Sequence, residues 1–174
     1  MSSTSSPSPQ NRAFALRSGA AIRAGWLGED IQFLTRSLRF LLRPQGEAVR
    51  GRFALEAGDI GVLAVIGANP GVSQNDLAAS LVLKKSAVTR VVQRLEKRGF
   101  VARQRSTLDR RANCLTLTGP GAALTDAVRE ATRMQQAHWF DGIDPARAEA
   151  FFDVMHLLLA RLAEAGGDDG ADDD

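Results

Sequence analysis

Between residues 73 and 118 the helical spacing of apolar side chains is interrupted once and then gives way to period two, and this stretch restricts the fold more than any other. Leu77, Ala78 and Leu81 give a short helix one apolar face, and Ser73 with Asp76 three positions on resembles a capping box at its start. A break at residues 81–83 follows. Val88, Val91, Val92 and Leu95 then recur at intervals of three and four, the stripe of a second helix over 84–98, with Gly99 placed to end it. Alternation of period two takes over in 100–105 and 112–118, predicting two strands, and the polar segment 106–111 between them reads as a hairpin tip.

Charge singles out the same segment. Residues 84–111 hold ten Lys or Arg against Glu96 and Asp109, a local net of +8 in a chain of +2. Five of the twenty acidic residues occupy the last seven positions, so the rest of the chain carries +7. A basic stripe along a helix beside a basic hairpin is the electrostatic footprint of a protein that binds duplex DNA. An α-helix fits the major groove, where each base pair presents its own donor and acceptor pattern. Candidate groove contacts on the second helix are Lys84, Lys85, Ser86, Thr89 and Arg90, with Gln93 and Arg94 one turn further on, facing phosphate. Candidates on the hairpin are Arg103, Arg105, Asp109, Arg110 and Arg111, with Asp109 orienting the arginines.

The flanks read as helices. The tail 1–12 is Ser/Pro-rich and expected to be disordered; it has no apolar run suited to a secretory leader. Ala-rich residues 13–27 suggest a helix interrupted by Gly19 and Gly25. Residues 29–43 form an apolar helix that Pro44 is expected to close, followed by a loop over 44–52. A short buried helix spans 60–68, ended by Asn69, Pro70 and Gly71. Helices are expected over 119–140 and, from the Asp144–Pro145 start signal, up to Gly166 and Gly167. This gives a mostly α fold with a small β wing, organised as 1–12 tail, 13–52 N-terminal helical dimerisation region, 53–118 DNA-binding domain, 119–165 C-terminal dimerisation helices and 166–174 acidic tail. The seven large apolar residues in 29–43 exceed what one neighbouring surface would cover, which points to a partner chain.

Enzyme chemistry finds no foothold. His138 and His156 are the only histidines, and each lacks a carboxylate or thiol at ligand spacing. Cys114 is the only cysteine, which excludes an intrachain disulfide and favours a plain buried thiol over a redox sensor. No phosphate-cradling loop or catalytic triad can be assembled, so neither cofactor nor metal is expected. No apolar run approaches the ~20 residues that span a bilayer, and a cytoplasmic location is expected.

The run Leu77-Ala78, Leu81, Ser86, Val88-Thr89-Arg90, Val92, Arg94-Leu95-Glu96, Gly99, then Asp109-Arg110-Arg111, then Leu117-Thr118 and Gly121, resembles the MarR family of winged helix-turn-helix transcriptional regulators. The resemblance implies a homodimer with intertwined terminal helices, each protomer presenting a recognition helix and a wing to a palindromic operator, usually as a repressor. Arg111 matches the wing arginine that enters the minor groove. Many members bind small, often anionic aromatic effectors where the dimerisation helices meet the DNA-binding lobe; Trp26, Arg36, Asp59 and His138 are the candidates here. Two positions depart from the pattern: Val82 stands where the turn is usually small or Gly, and Lys84 stands at the polar N-cap and cannot accept from the free N–H groups. The residues alone also admit a non-specific architectural DNA binder or a winged-helix protein-interaction module.

Overall fold

The computed structural model describes residues 13–15, 21–105 and 113–166. The chain divides into two compact units, Met1–Thr125 and Asp126–Asp174. In the first unit a short hairpin pairs β1 (Ala13–Ala15) with β2 (Ala21–Arg23), Phe14 opposite Ile22. A 3-10 turn at Gly25–Gly28 follows, then α1 (Ile31–Arg52), α2 (Asp59–Ala68), β3 (Val72–Ser73), α3 (Gln74–Ser80), α4 (Lys85–Lys97), β4 (Val101–Arg105) and β5 (Asn113–Leu117). Helix α5 (Gly119–Trp139) begins in the first unit and continues into the second, where α6 (Pro145–Gly166) completes the chain.

Two expectations are corrected here. The helix anticipated over 13–27 is replaced by the hairpin and the 3-10 turn: Gly25 takes a positive φ of 59°, which no continuing helix allows. Pro44 does not end α1, which runs through it to Arg52 and removes the loop expected over 44–52. Proline lacks an N–H and so costs one helical hydrogen bond. The turns beyond it are held instead by burial of Val49 and by Arg43 donating to Glu47 at 2.8 Å one turn away. At the other end of α1, Asp30 accepts the Phe33 N–H at 2.6 Å, a side-chain cap.

The core of the first unit is the predicted stripe of α4 closed over its neighbours. Val88, Val92 and Leu95 are fully buried beside Val62, Leu63 and Ile66 of α2, Leu77 of α3 and Leu115 of β5. Burying a side chain of this kind contributes about 1.5–3 kcal/mol relative to leaving it in water. The last three strands form a second antiparallel sheet in the order β3-β5-β4, with Val101 opposite Leu117 and Arg103 opposite Leu115. Strand β3, absent from the expectation, adds Val72 opposite Leu115 and ties the start of α3 to the wing.

The second unit holds the rest of α5 and α6. Asp144 accepts the Ala146 N–H at 2.8 Å at the start of α6, the cap expected from the Asp-Pro pair. Phe140, Phe151 and Phe152 stack at centroid distances of 5.4–6.4 Å. Among the described residues no helix is long and apolar enough to cross a membrane.

Candidate nucleic-acid interface

Helix α3, the turn and α4 are set by how their ends are satisfied. Ser73 Oγ accepts the Asp76 N–H at 3.1 Å and donates to the Asp76 carboxylate at 2.7 Å, the capping arrangement read from the sequence. At the far end, Leu83 N–H reaches the Ala78 carbonyl and Val82 N–H reaches the Ala79 carbonyl, both at 3.1 Å. That pair of bonds is a Schellman motif, which places residue 82 in the left-handed region. Val82 accordingly has φ of 51°, and its side chain is 86% exposed. Helix α4 ends in the same motif through Gly99, with φ of 75°, where no Cβ is present to object.

Lys84 precedes α4 and its side chain makes no capping bond, so the N–H groups of the first turn point outward uncapped by a side chain. Ser86, Arg90 and Gln93 are exposed on the side opposite the buried valines, and Lys85 is exposed in the first turn. Lys84, Lys85 and Arg90 have no ion-pair partner among the described residues. An exposed, unneutralised cation is what a phosphate contact requires.

Other sequence candidates are engaged within the protein. Thr89 is half-buried, with its hydroxyl bonded to both Lys85 and Gln74. Arg94 turns back to α2: its Nε donates to Asp59 Oδ1 at 3.2 Å, Nη2 bonds the same oxygen, and Nη1 lies 3.2 Å from Glu56. Arg98 adds to this cluster, with Nη1 on the Ala54 carbonyl at 2.8 Å, 3.8 Å from Asp59 Oδ2, and its guanidinium 4.9 Å from the Phe100 ring centroid. On the wing, Arg103 Nε donates to Glu96 at 2.8 Å. Arg105 ends β4. Asp109, Arg110 and Arg111 lie outside the described residues.

Of the effector candidates, Trp26 is 73% exposed in the 3-10 turn, and Arg36 lies exposed on α1 with its guanidinium 5.7 Å from the Phe33 ring centroid. Asp59 is fully buried in the arginine cluster. His138 belongs to the second unit, exposed near the end of α5. Cys114 is a free, half-buried thiol on β5. Among the described residues no group of three His, Cys, Asp or Glu side chains is arranged to hold a metal ion.

Two functional partners escape a reading of the sequence. Gln74 looks like an ordinary first-turn residue, and Asp59 meets Arg94 across 35 positions without any local pattern to announce it.

The MarR family model matches residues 55–112, from just after α1 to just before β5. A Thauera aromatica protein described as a transcriptional regulator for the hcr operon is 38% identical over 107 residues; the match covers 62% of this chain and 64% of that relative, just under two thirds of its length. The fold is shared with the transcriptional repressor CouR bound to a 23-mer DNA duplex, at a TM-score of 0.71 and 20% identity over 80% of this chain and 99% of that one. CouR from Rhodococcus jostii RHA1 bound to p-coumaroyl-CoA gives a TM-score of 0.68 and 25% identity over 76% of this chain and 93% of that one. These relatives are named as regulators of transcription, not as enzymes. In the segment 55–112 and in its fold, the chain is similar to the MarR family of transcriptional regulators.

Proposed function

We propose that the protein is a sequence-specific transcriptional regulator, a homodimeric repressor that binds a palindromic operator and is released by a small ligand. The observation that carries this reading is α4: one face is buried and holds the helix in place, the opposite face presents Ser86, Arg90 and Gln93 to solvent, and Lys85 is exposed in the first turn. Arg111 serves as the wing contact in the minor groove, whose negative potential attracts a guanidinium where the groove narrows.

The terminal helices supply the reason for a dimer. Ile31, Leu38, Phe40 and Leu41 on α1, and Val154, Leu157, Leu159 and Leu162 on α6, are exposed in the single chain. Apolar surface on this scale marks an interaction face in a soluble protein, and a second copy covering it places two α4 helices for the two halves of an operator. The regulator acts in the cytoplasm. Its effector belongs to the aromatic or anionic class, with Trp26 offering a stacking surface and Arg36 a cation. The ligand bound to CouR makes p-coumaroyl-CoA the first compound to try.

Selection of duplexes from a random pool, followed by anisotropy titrations, tests the reading. A preference of ~10³ or more for the selected site over random duplex is expected at matched salt. Half-sites should be centred about 10 base pairs apart or a multiple of that, so that both helices reach one face of the DNA. Binding without preference would identify an architectural DNA binder, and failure to bind any duplex at low salt a protein-interaction module.

A further inference from the structure

On the exposed side of α4, Thr89 is the residue whose hydrogen-bonding group is already committed. Its Oγ1 donates to the Lys85 carbonyl at 2.9 Å and accepts from Gln74 Nε2 at 2.5 Å. A hydroxyl has one proton and two lone pairs, so the proton and one lone pair are used before any DNA arrives. The tether is well anchored. Gln74 is the first residue of α3, directly after the Ser73 cap. The spacing of α3 and α4 is fixed by Leu77, Ala78, Val88 and Val92, all buried. Ser86, one turn before Arg90 on the same helix, is exposed and carries no such bond among the described residues.

We propose that Gln74 is a specificity-determining residue: its amide occupies a lone pair of the Thr89 hydroxyl, whose proton is already given to the Lys85 carbonyl, and so withdraws an acceptor from the base-reading face of α4. This rests on the regulator reading above. A free threonine hydroxyl can donate to guanine O6 or N7, to adenine N7 or to thymine O4, and it can accept from adenine or cytosine amino groups, so alone it discriminates poorly. Once the proton is given to Lys85, donation to any of these acceptors ends. What remains is the methyl group, which suits the thymine C5-methyl, and a single lone pair. Gln74 therefore narrows what position 89 accepts although it lies on the supporting helix. Beside Thr89 on the helix, Ser86 and Arg90 are exposed and keep their donors free for direct readout.

The test uses the full-length protein with Gln74→Ala, Thr89→Val and Thr89→Ala, titrated at one salt concentration against the selected operator and a panel carrying every single base-pair change in one half-site. Thr89→Val keeps the shape and the methyl surface, and should keep the wild-type order of preference within about threefold. Gln74→Ala returns that lone pair, lets position 89 accept from an adenine or cytosine amino group, and should relax discrimination by about tenfold or more at one operator position, the scale of a single good base contact. A Gln74→Ala profile identical to wild type would overturn the proposal, as would a Thr89→Val profile as altered as that of Thr89→Ala. A second measurement needs no DNA: the Gln74 side-chain amide resonances of the free protein should move on Thr89→Val, and an unmoved amide would also overturn the proposal. If the wild type prefers no duplex at all, the regulator reading falls and takes this one with it; a selective wild type with the profiles just described as adverse removes this one alone.

Discussion

Arg94 of α4 closes its guanidinium on the carboxylate of Asp59, a side chain with no solvent exposure at the start of α2. Nε and Nη2 share Oδ1, and Oδ2 accepts the Glu56 backbone N–H at 2.8 Å. The C-terminal half of α4 is thereby fastened to the corner between α1 and α2. Planar, forked donors are what this geometry needs, and lysine offers neither the plane nor the fork.

Removing one side of this pair should therefore be costly. Arg94→Ala leaves a buried carboxylate with only Arg98, 3.8 Å away, to offset it, and should destabilise the protein by about 3–5 kcal/mol in urea unfolding. Arg94→Lys should recover only part of that. The double variant Asp59→Leu, Arg94→Met removes both charges and should lie within about 1–2 kcal/mol of wild type, since paired buried charges contribute little beyond a well-packed apolar substitute. Equal losses for the single and the double variants would refute this account.

Val82 offers a gain. It occupies the position in its Schellman motif that Gly99 occupies in the next, and a Cβ with two branches resists a φ of 51°. The strain is about 1–2 kcal/mol, against which glycine's extra unfolded-state freedom costs ~0.5–1 kcal/mol. Val82→Gly should raise the thermal midpoint by a few degrees, about 2–4 °C per kcal/mol for a chain of this size. Val82→Ala serves as the control: it keeps a Cβ at positive φ and should recover less.

What the sequence made legible was whatever lies within one element. The three-and-four spacing of Val88, Val91, Val92 and Leu95 predicted a buried stripe, and all four are buried. Ser73 and Asp144 announced their caps because capping acts over two or three residues. Local rules failed where packing outweighs them. Pro44 was expected to stop a helix, but Val49 and the Arg43–Glu47 pair carry it on. The Ala-rich start gave way to a strand pairing that spacing could not reveal. In the candidate site, the exposed cations of α4 follow from the helical repeat, whereas the partners of Arg94 and Thr89 lie 35 and 15 residues away. A charge count assigns all ten basic residues of 84–111 to DNA, but Arg94, Arg98 and Arg103 are in contact with acidic side chains.

Gly121 lies in the first turn of α5, the helix that leaves the wing, and its place is reserved by sterics. A Cβ there would sit 1.9 Å from the Phe100 carbonyl oxygen, a backbone atom that cannot swing aside. Thr118 completes the joint, its hydroxyl donating to the Gly99 carbonyl at 2.6 Å and accepting the Gly121 N–H at 3.1 Å. Gly121→Ala should cost ~3 kcal/mol or more, at the upper end of overpacking, and Thr118→Ala about 1 kcal/mol for a lost helix cap. Gly119→Ala meets nothing within 4 Å and should be close to neutral by the same urea titration. Similar costs at positions 119 and 121 would show that the joint tolerates a Cβ.

Salt dependence separates cations that reach DNA from those held inside the protein. Each phosphate neutralised adds about 0.9 to the slope of log K against log salt on duplex DNA. Arg90 is exposed and free of acidic partners among the described residues, so Arg90→Ala should weaken operator binding and reduce that slope by about 0.9. Glu96 acts in the opposite direction, because it holds Arg103 at 2.8 Å on the wing. Glu96→Gln removes a negative charge from the DNA-facing lobe and releases that guanidinium. Binding at low salt should then tighten and the slope should steepen. An Arg103→Ala variant should reduce the gain made by Glu96→Gln to the part that comes from the lost negative charge; if the gain is as large without Arg103, the released arginine is not its source.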